Sequence, residues 1–332
     1  MKPFLLSIFS CSAFILLLAS CERKELPVPL YQPDPTTRTD SVDMNIDYRY
    51  QIFYSLDDNR IVSKNLKTDW DLGFESSSTG INIILNGSKA MFAMPVPKPN
   101  LELVHMTDTA GFGANKRWDA PSGNHDSTAF SGWINSTNSS YVIDRGYAVD
   151  GTRLGFYRMR ILSVDESQYQ ILVSKMENDT VIQTVSIPKN PACNYTYFSF
   201  DGNKVVTIEP PMVDWDLQFT VYTHTFYDPS YMSYSVTGCL INPYNTEAAR
   251  TASADFDVID KTILNTTALT KARNAIGYDW KDYNFDLGKY AADPRKNYVV
   301  RTQSGKLYKL HFIDFSNAAG IKGNPKFEYK EL

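Results

Sequence analysis

Residues Val213, Asp214, Trp215, Asp216, Leu217, Gln218 and Phe219 alternate apolar with polar, which places Trp215, Leu217 and Phe219 on one face of a strand and the two aspartates on the other. The alternation predicts a half-buried strand. It recurs at Asp69, Trp70, Asp71, Leu72, Gly73 and Phe74, 145 positions earlier counted between the tryptophans. The flanks of the two copies correspond as well. Upstream, 53–62 lies over 197–206 at an offset of 144, each reading as two strands around an Asp/Gly/Asn turn, so that a hairpin precedes each tryptophan. Downstream, 156–161 lies over 307–312 at an offset of 151, a strand with apolar residues inward and Arg158, Arg160, Lys309 and His311 outward. Three matches in one order predict a tandem duplication. Its unit of about 150 residues is the size of a domain, too long for a solenoid repeat.

From about Ile46 onward the chain is rich in Tyr, Phe, Val and Ile, with turn residues roughly every 8–12 positions, the rhythm of antiparallel sandwiches. The predicted fold is all-β, with two tandem antiparallel β-sandwich-like domains at 46–186 and 190–332. One short helix is expected in the second, over 266–276, where alanines and Leu269 run up to Gly277. A weaker counterpart stands near Ser127 to Ser131. Trp133 and Trp280, 147 apart, follow these passages and read as packing residues.

The first twenty residues carry Lys2 and then a mostly apolar run from Phe4 to Leu18, too short for a comfortable membrane span. They read as an export signal over 1–20. Leu18, Ala19 and Ser20 lead into Cys21, the pattern of a bacterial lipobox, so Cys21 is the expected lipidation site. Residues 21–45, with Pro27, Pro29, Pro33 and Pro35, read as a tether that buries no core. One of the 33 cations and none of the 37 anions leaves with the signal, so the mature balance is −5, which argues against a nucleic-acid partner. Cys11 also leaves, and Cys193 and Cys239 remain, either as a disulfide or as two free thiols.

The order of 197–206 (Tyr-Phe-Ser-Phe-x-x-Asn-Lys-Val-Val), Trp215 to Phe219, the segment from Asn297 through Gly305 to Leu310, and Phe327 to Tyr329 resembles the HmuY family of haem-binding outer-membrane lipoproteins of Bacteroidetes-type bacteria. The match spans nearly all of 193–332, and 46–186 resembles a more divergent copy. The resemblance implies an all-β, sandwich-like fold on a lipid anchor. It also implies capture of haem by two axial side chains for a neighbouring TonB-dependent receptor in the outer membrane.

Haem capture requires iron ligands, and histidines and methionines are the candidates. His224 lies opposite Trp215, Leu217 and Phe219 if the strand continues, with Tyr222 beside it and Met232 in the loop after. These three are the expected haem-binding residues, with His224 as the metal ligand; the alternative for His224 is a solvent-exposed strand residue. His311 is expected outward and solvated, while His105 and His125 fall in first-unit loops. No nucleophile elbow, zinc-protease motif, Cys-x-x-Cys or phosphate loop occurs. The pairs Asp69/Asp71 and Asp214/Asp216 are side by side at about 7 Å, repeated in both units, which favours a structural role. The chain therefore reads as a ligand-binding envelope lipoprotein without catalysis. A structural or adhesive accessory protein contacting protein or glycan is the alternative.

Overall fold

The computed structural model describes residues 36–136, 139–177, 181–286 and 288–332. The signal segment and Cys21 lie outside them. The fold is all-β and every strand pairing is antiparallel. One five-stranded sheet runs, in order across it, Arg38–Ser41, Lys322–Glu331, Leu307–Ser316, Asn297–Arg301 and Glu247–Arg250. The other runs Gln183–Pro188, Gln168–Lys175, Phe156–Val164, Ser140–Asp144 and Phe92–Val96. Two four-stranded sheets lie between them in the connectivity: Lys204–Val206, Tyr195–Ser199, Leu72–Glu75, Ile83–Leu85, and Met232–Ile241, Leu217–Phe226, Tyr50–Ser55, Arg60–Leu66.

These sheets exchange strands between the two repeats. Ile52, Phe53 and Tyr54 of the first hairpin pair with Phe219, Gln218 and Leu217 of the second repeat. Conversely, Thr196, Tyr197 and Phe198 pair with Phe74, Gly73 and Leu72 of the first. One core therefore collects Ile52, Tyr54, Leu217, Phe219, Trp280, Phe312 and Phe327. The other collects Leu72, Phe74, Phe130, Ile143, Tyr169, Ile171 and Phe198. The expected division into 46–186 and 190–332 is corrected accordingly. The second core is built from the continuous stretch 72–200, and the first from 42–56 joined to 217–329.

The tryptophan motifs explain the exchange. Trp70 and Trp215 precede their strands, which begin at Leu72 and Leu217. The aspartate after each tryptophan is buried and bonds the end of the first strand of a foreign hairpin. Asp71 N–H donates to Phe198 O, and its Oδ2 accepts from Phe200 N at 2.7 Å. Asp216 N–H donates to Tyr54 O, and its Oδ2 accepts from Leu56 N at 2.8 Å. Asn86 and Asn242 close the two corners alike, donating to the carbonyls of Trp70 and Trp215 respectively. Each indole then meets the foreign hairpin edge to face, Trp70 on Tyr197 at 4.7 Å and Trp215 on Phe53 at 4.9 Å. A structural role for Asp71 and Asp216 is what these bonds show. They are, however, buried instead of facing outward on a half-buried strand.

Three further expectations change. The segment 266–276 is not helical; a 3₁₀ turn, Lys261–Asn265, precedes it. Its backbone groups go to strand-like bridges instead, Thr270 with Ala248 and Gly277 with Cys239, while Ile241 N donates to Arg273 O. Gly277 has φ +74°, and a Cβ on Gly238 would stand 2.4 Å from the Gly277 carbonyl oxygen, so the approach needs both glycines. The expected tether over 21–45 is corrected at its end: Arg38–Ser41 pairs with Lys322–Glu331, and Val42 and Met44 enter the first core because their period-2 spacing turns both inward. Arg158 and Lys309, expected outward, are buried beneath loops. Arg158 donates to Leu101 O and Val104 O, and Lys309 to Phe256 O and Asp257 O. Buried cations are tolerated where carbonyls replace their water. Trp280 is buried and stacked on Phe312 at 4.0 Å, and Trp133 packs at the edge of the second core, as expected of packing residues.

Candidate functional site

His224 belongs to the strand Leu217–Phe226, whose register sets His224 against Tyr234, Phe226 against Met232 and Tyr222 against Val236. Directly paired residues of antiparallel strands share a face. Tyr222, His224, Phe226, Met232, Tyr234 and Val236 therefore stand on one face. The imidazole is held edge to face by Phe226 and by Tyr278, each at 4.9 Å between ring centroids. Its Nδ1 is buried without a hydrogen-bond partner. Burial pulls the imidazole below its ordinary pKa, against the opposing field of Asp279.

A pocket open to solvent is lined here by Tyr222, His224, Arg250, Tyr278, Asp279 and Tyr298. The hydroxyls of Tyr222 and Tyr298 are also buried without partners. Unpaired buried polar atoms are costly and uncommon, and three of them gather on this pocket. The arrangement offers a neutral imidazole, two phenols and aromatic walls, the furniture of a ligand site with few polar contacts. Arg250 and Asp279 pair at 3.2 Å, both half exposed.

Of the predicted residues, the structure brings His224 and Tyr222 together. Met232 shares their face but opens the strand Met232–Ile241 outside the pocket and is 43 % exposed. The expected outward place of His311 is corrected. It is buried, stacked on Phe256 at 4.0 Å, with Nε2 3.0 Å from Glu328 Oε2 and Nδ1 3.0 Å from Pro294 O. Glu328 across the ladder and the Pro294 carbonyl give the ring partners inside, so neither nitrogen is left for a metal. His125 is likewise engaged, Nδ1 with Asn82 and Nε2 with the Tyr195 hydroxyl. His105 is exposed in its loop. Cys193 and Cys239 are free thiols, both with pKa raised by burial, Cys193 to about 11. Among the described residues no group of three or more His, Cys, Asp and Glu gathers around a point.

Sequence reasoning missed a second concavity. A cleft is lined by Trp70, Trp118, Tyr195, Tyr197, Gln218 and Arg273 among others, and Tyr222 forms part of its wall. Burial pushes the Asp119 carboxyl beside it up to about 7, and that of Glu209 nearby to about 7 as well. Trp118 and Arg273 sit in irregular segments with no periodic neighbour, so nothing local in the sequence pairs them.

Among the solved structures similar to this chain are apo PinO from Porphyromonas gingivitis and the apo HmuY analog TFO of Tannerella forsythia. The first has 10% identity and a TM-score of 0.34 over 89% of this chain and 97% of the other. The second has 10% identity and a TM-score of 0.33 over 89% and 95%. A putative HmuY-like heme-binding protein of Bacteroides vulgatus shares 14% identity, with a TM-score of 0.23 over 40% and 82%. No curated protein matches the chain. Among the described residues no helix is long and apolar enough to cross a membrane. The HmuY protein family matches residues 47–329, most of the chain, and this chain belongs to the HmuY family.

Proposed function

We propose that this protein binds haem or a related porphyrin at the pocket on the Leu217–Phe226 strand and does no chemistry on it. In this reading it is lipid-anchored through Cys21 at the outer membrane and hands its ligand to a TonB-dependent receptor. Membership of the HmuY family supports the ligand class. The observation that carries the site is the His224 imidazole, whose buried Nδ1 lacks a partner beside two equally unpartnered tyrosine hydroxyls. His224 would hold the iron. Tyr222 supplies a phenol at the pocket wall, and Met232, on the same face, is the thioether at hand. Bound haem would supply an iron centre that such side chains would ligate. Because burial lowers the pKa of His224, its ring stays neutral, and able to ligate, to a lower pH than an exposed imidazole near 6.5.

Titration of the purified protein with haem should give a sharpened, shifted Soret band. His224→Ala should weaken binding and abolish the shift, and acidification should weaken the parent only below the ordinary imidazole range. If the parent gives no Soret change, haem is not the ligand; if His224→Ala matches the parent, the site lies elsewhere. The second reading, an accessory protein contacting protein or glycan, is favoured by the exposed aromatic residues of two hairpin tips. Tyr227 is 74 % and Phe285 88 % exposed, and Tyr231 stacks on Trp118 at 4.7 Å. It takes precedence if the Soret band does not move.

A further inference from the structure

The second cleft carries groups for which the haem reading has no use. Trp70, Trp118 and Tyr197 line it together with Gln218 and Arg273. The aromatic wall is rigid. Trp70 and Tyr197 meet edge to face at 4.7 Å, and the Trp118 indole N–H donates to Thr225 Oγ1 at 3.0 Å.

Arg273 is fixed at its root, because its N–H donates to Ser122 O at 2.9 Å and its carbonyl accepts from Ile241 N at 2.8 Å. Its Nη2 donates to Gln218 Oε1 at 2.8 Å, but its Nε is buried and has no partner. Among the described residues Arg273 has no ion pair. The acids near it are committed elsewhere. Asp119 accepts from Leu85 N at 2.6 Å and from Ala129 N at 2.8 Å. Glu209 accepts from Tyr195 N at 3.1 Å and from the Asn194 amide. A guanidinium whose Nε has no partner, set beside flat aromatic surfaces, matches a planar group that ends in a carboxylate, since the fork of arginine suits that anion best.

We propose that this cleft is a second binding site, for a small planar aromatic carboxylate. Arg273 receives the carboxylate, Gln218 adds a polar contact, and the ring lies against Trp70, Trp118 and Tyr197. The site needs neither iron nor His224 and so goes beyond the haem proposal.

Calorimetric titration of the full chain with naphthoate, beside its uncharged amide naphthamide, tests this. Naphthoate should bind at one site, and naphthamide about tenfold or more weaker, the worth of a hydrogen-bonded charge. Arg273→Gln should lose a similar factor. Gln218→Glu, which sets a competing carboxylate against the guanidinium, should lose it as well and decides the matter if Arg273→Gln does not fold. His224→Ala should bind naphthoate like the parent, so a failed Soret titration leaves this site untouched. No heat with naphthoate, equal affinity for naphthamide, or parental binding by a folded Arg273→Gln or Gln218→Glu would overturn the proposal.

Discussion

Asp71 and Asp216 hold equivalent places in the two repeats and meet the same burial problem in opposite ways. Asp71 is compensated by two buried cations. Lys89 bonds its Oδ1, and Arg145 reaches it through Nε at 2.9 Å and Nη2 at 3.0 Å while its Nη1 takes Asp201 at 2.9 Å. Among the described residues Asp216 pairs with no cation. Its oxygens accept from Leu56 N at 2.8 Å and Gln303 N at 3.3 Å, and Asp57, the counterpart of Asp201, stands near it as a like charge. Burial, with a smaller push from Asp57, raises the Asp216 carboxyl from 3.8 to about 6. A carboxyl with a raised folded pKa favours the fold fully below its unfolded pKa and loses that contribution as pH rises through the folded value. Denaturant unfolding of Asp216→Asn and the parent, compared across pH 4 to 7, should therefore shift in the variant's favour as pH rises. The shift should be about 3 kcal/mol for two pKa units. A difference that stays flat over that window would remove Asp216 as the titrating group.

The exchange of hairpins fixes which stretches can fold alone. Phe198 and Phe200 belong to the second core, and their strand is the only partner of Leu72–Glu75 on one side. A fragment of 46–186 lacks both and carries the hairpin 50–66 with nothing to pair against. A fragment of 68–210 contains every residue of the second core. The shorter-looking domain should stay unfolded by circular dichroism and amide dispersion, and 68–210 should fold cooperatively; the reverse pattern would refute the exchange. The hairpins and both tryptophan corners were legible as a repeat with offsets near 145. Their pairing was not, because the two copies present nearly the same faces. Phe53 and Tyr54 look like Tyr197 and Phe198 to any strand beside them, so local alternation suits self-pairing and exchange equally.

In the proposed reading the intact chain is attached through Cys21, where an acyl group would supply the buried hydrocarbon. Cys21→Ser should move the protein out of the membrane fraction or leave a heavier, unprocessed precursor. Unchanged fractionation and mass would exclude the anchor. The same whole-chain view accounts for the cleft. Its walls come from residues as far apart in the chain as Trp70 and Arg273, which only the tertiary fold brings together.

Period-2 alternation, turn spacing and the doubled Asp-Trp-Asp-Leu motif were enough to determine an all-β fold, the repeat itself, and a shared strand face for Tyr222 and His224. These depend on neighbours within a few residues, where side-chain direction follows from the backbone. The same pattern misplaced His311, Arg158 and Lys309, because a polar side chain turns inward when a distant partner meets it. For His311 that partner is Glu328, and for the two cations it is loop carbonyls. It also drew a helix through 266–276, where alanines favour one, although Cys239 and Ala248 take the backbone groups of that segment into bridges. Which hairpin each tryptophan corner receives, which polar atoms end without partners, and where a cleft is left are decided by contacts between residues some 100 or more positions apart. Only the tertiary structure can place them, since tertiary packing overrides local propensity wherever it satisfies more buried groups.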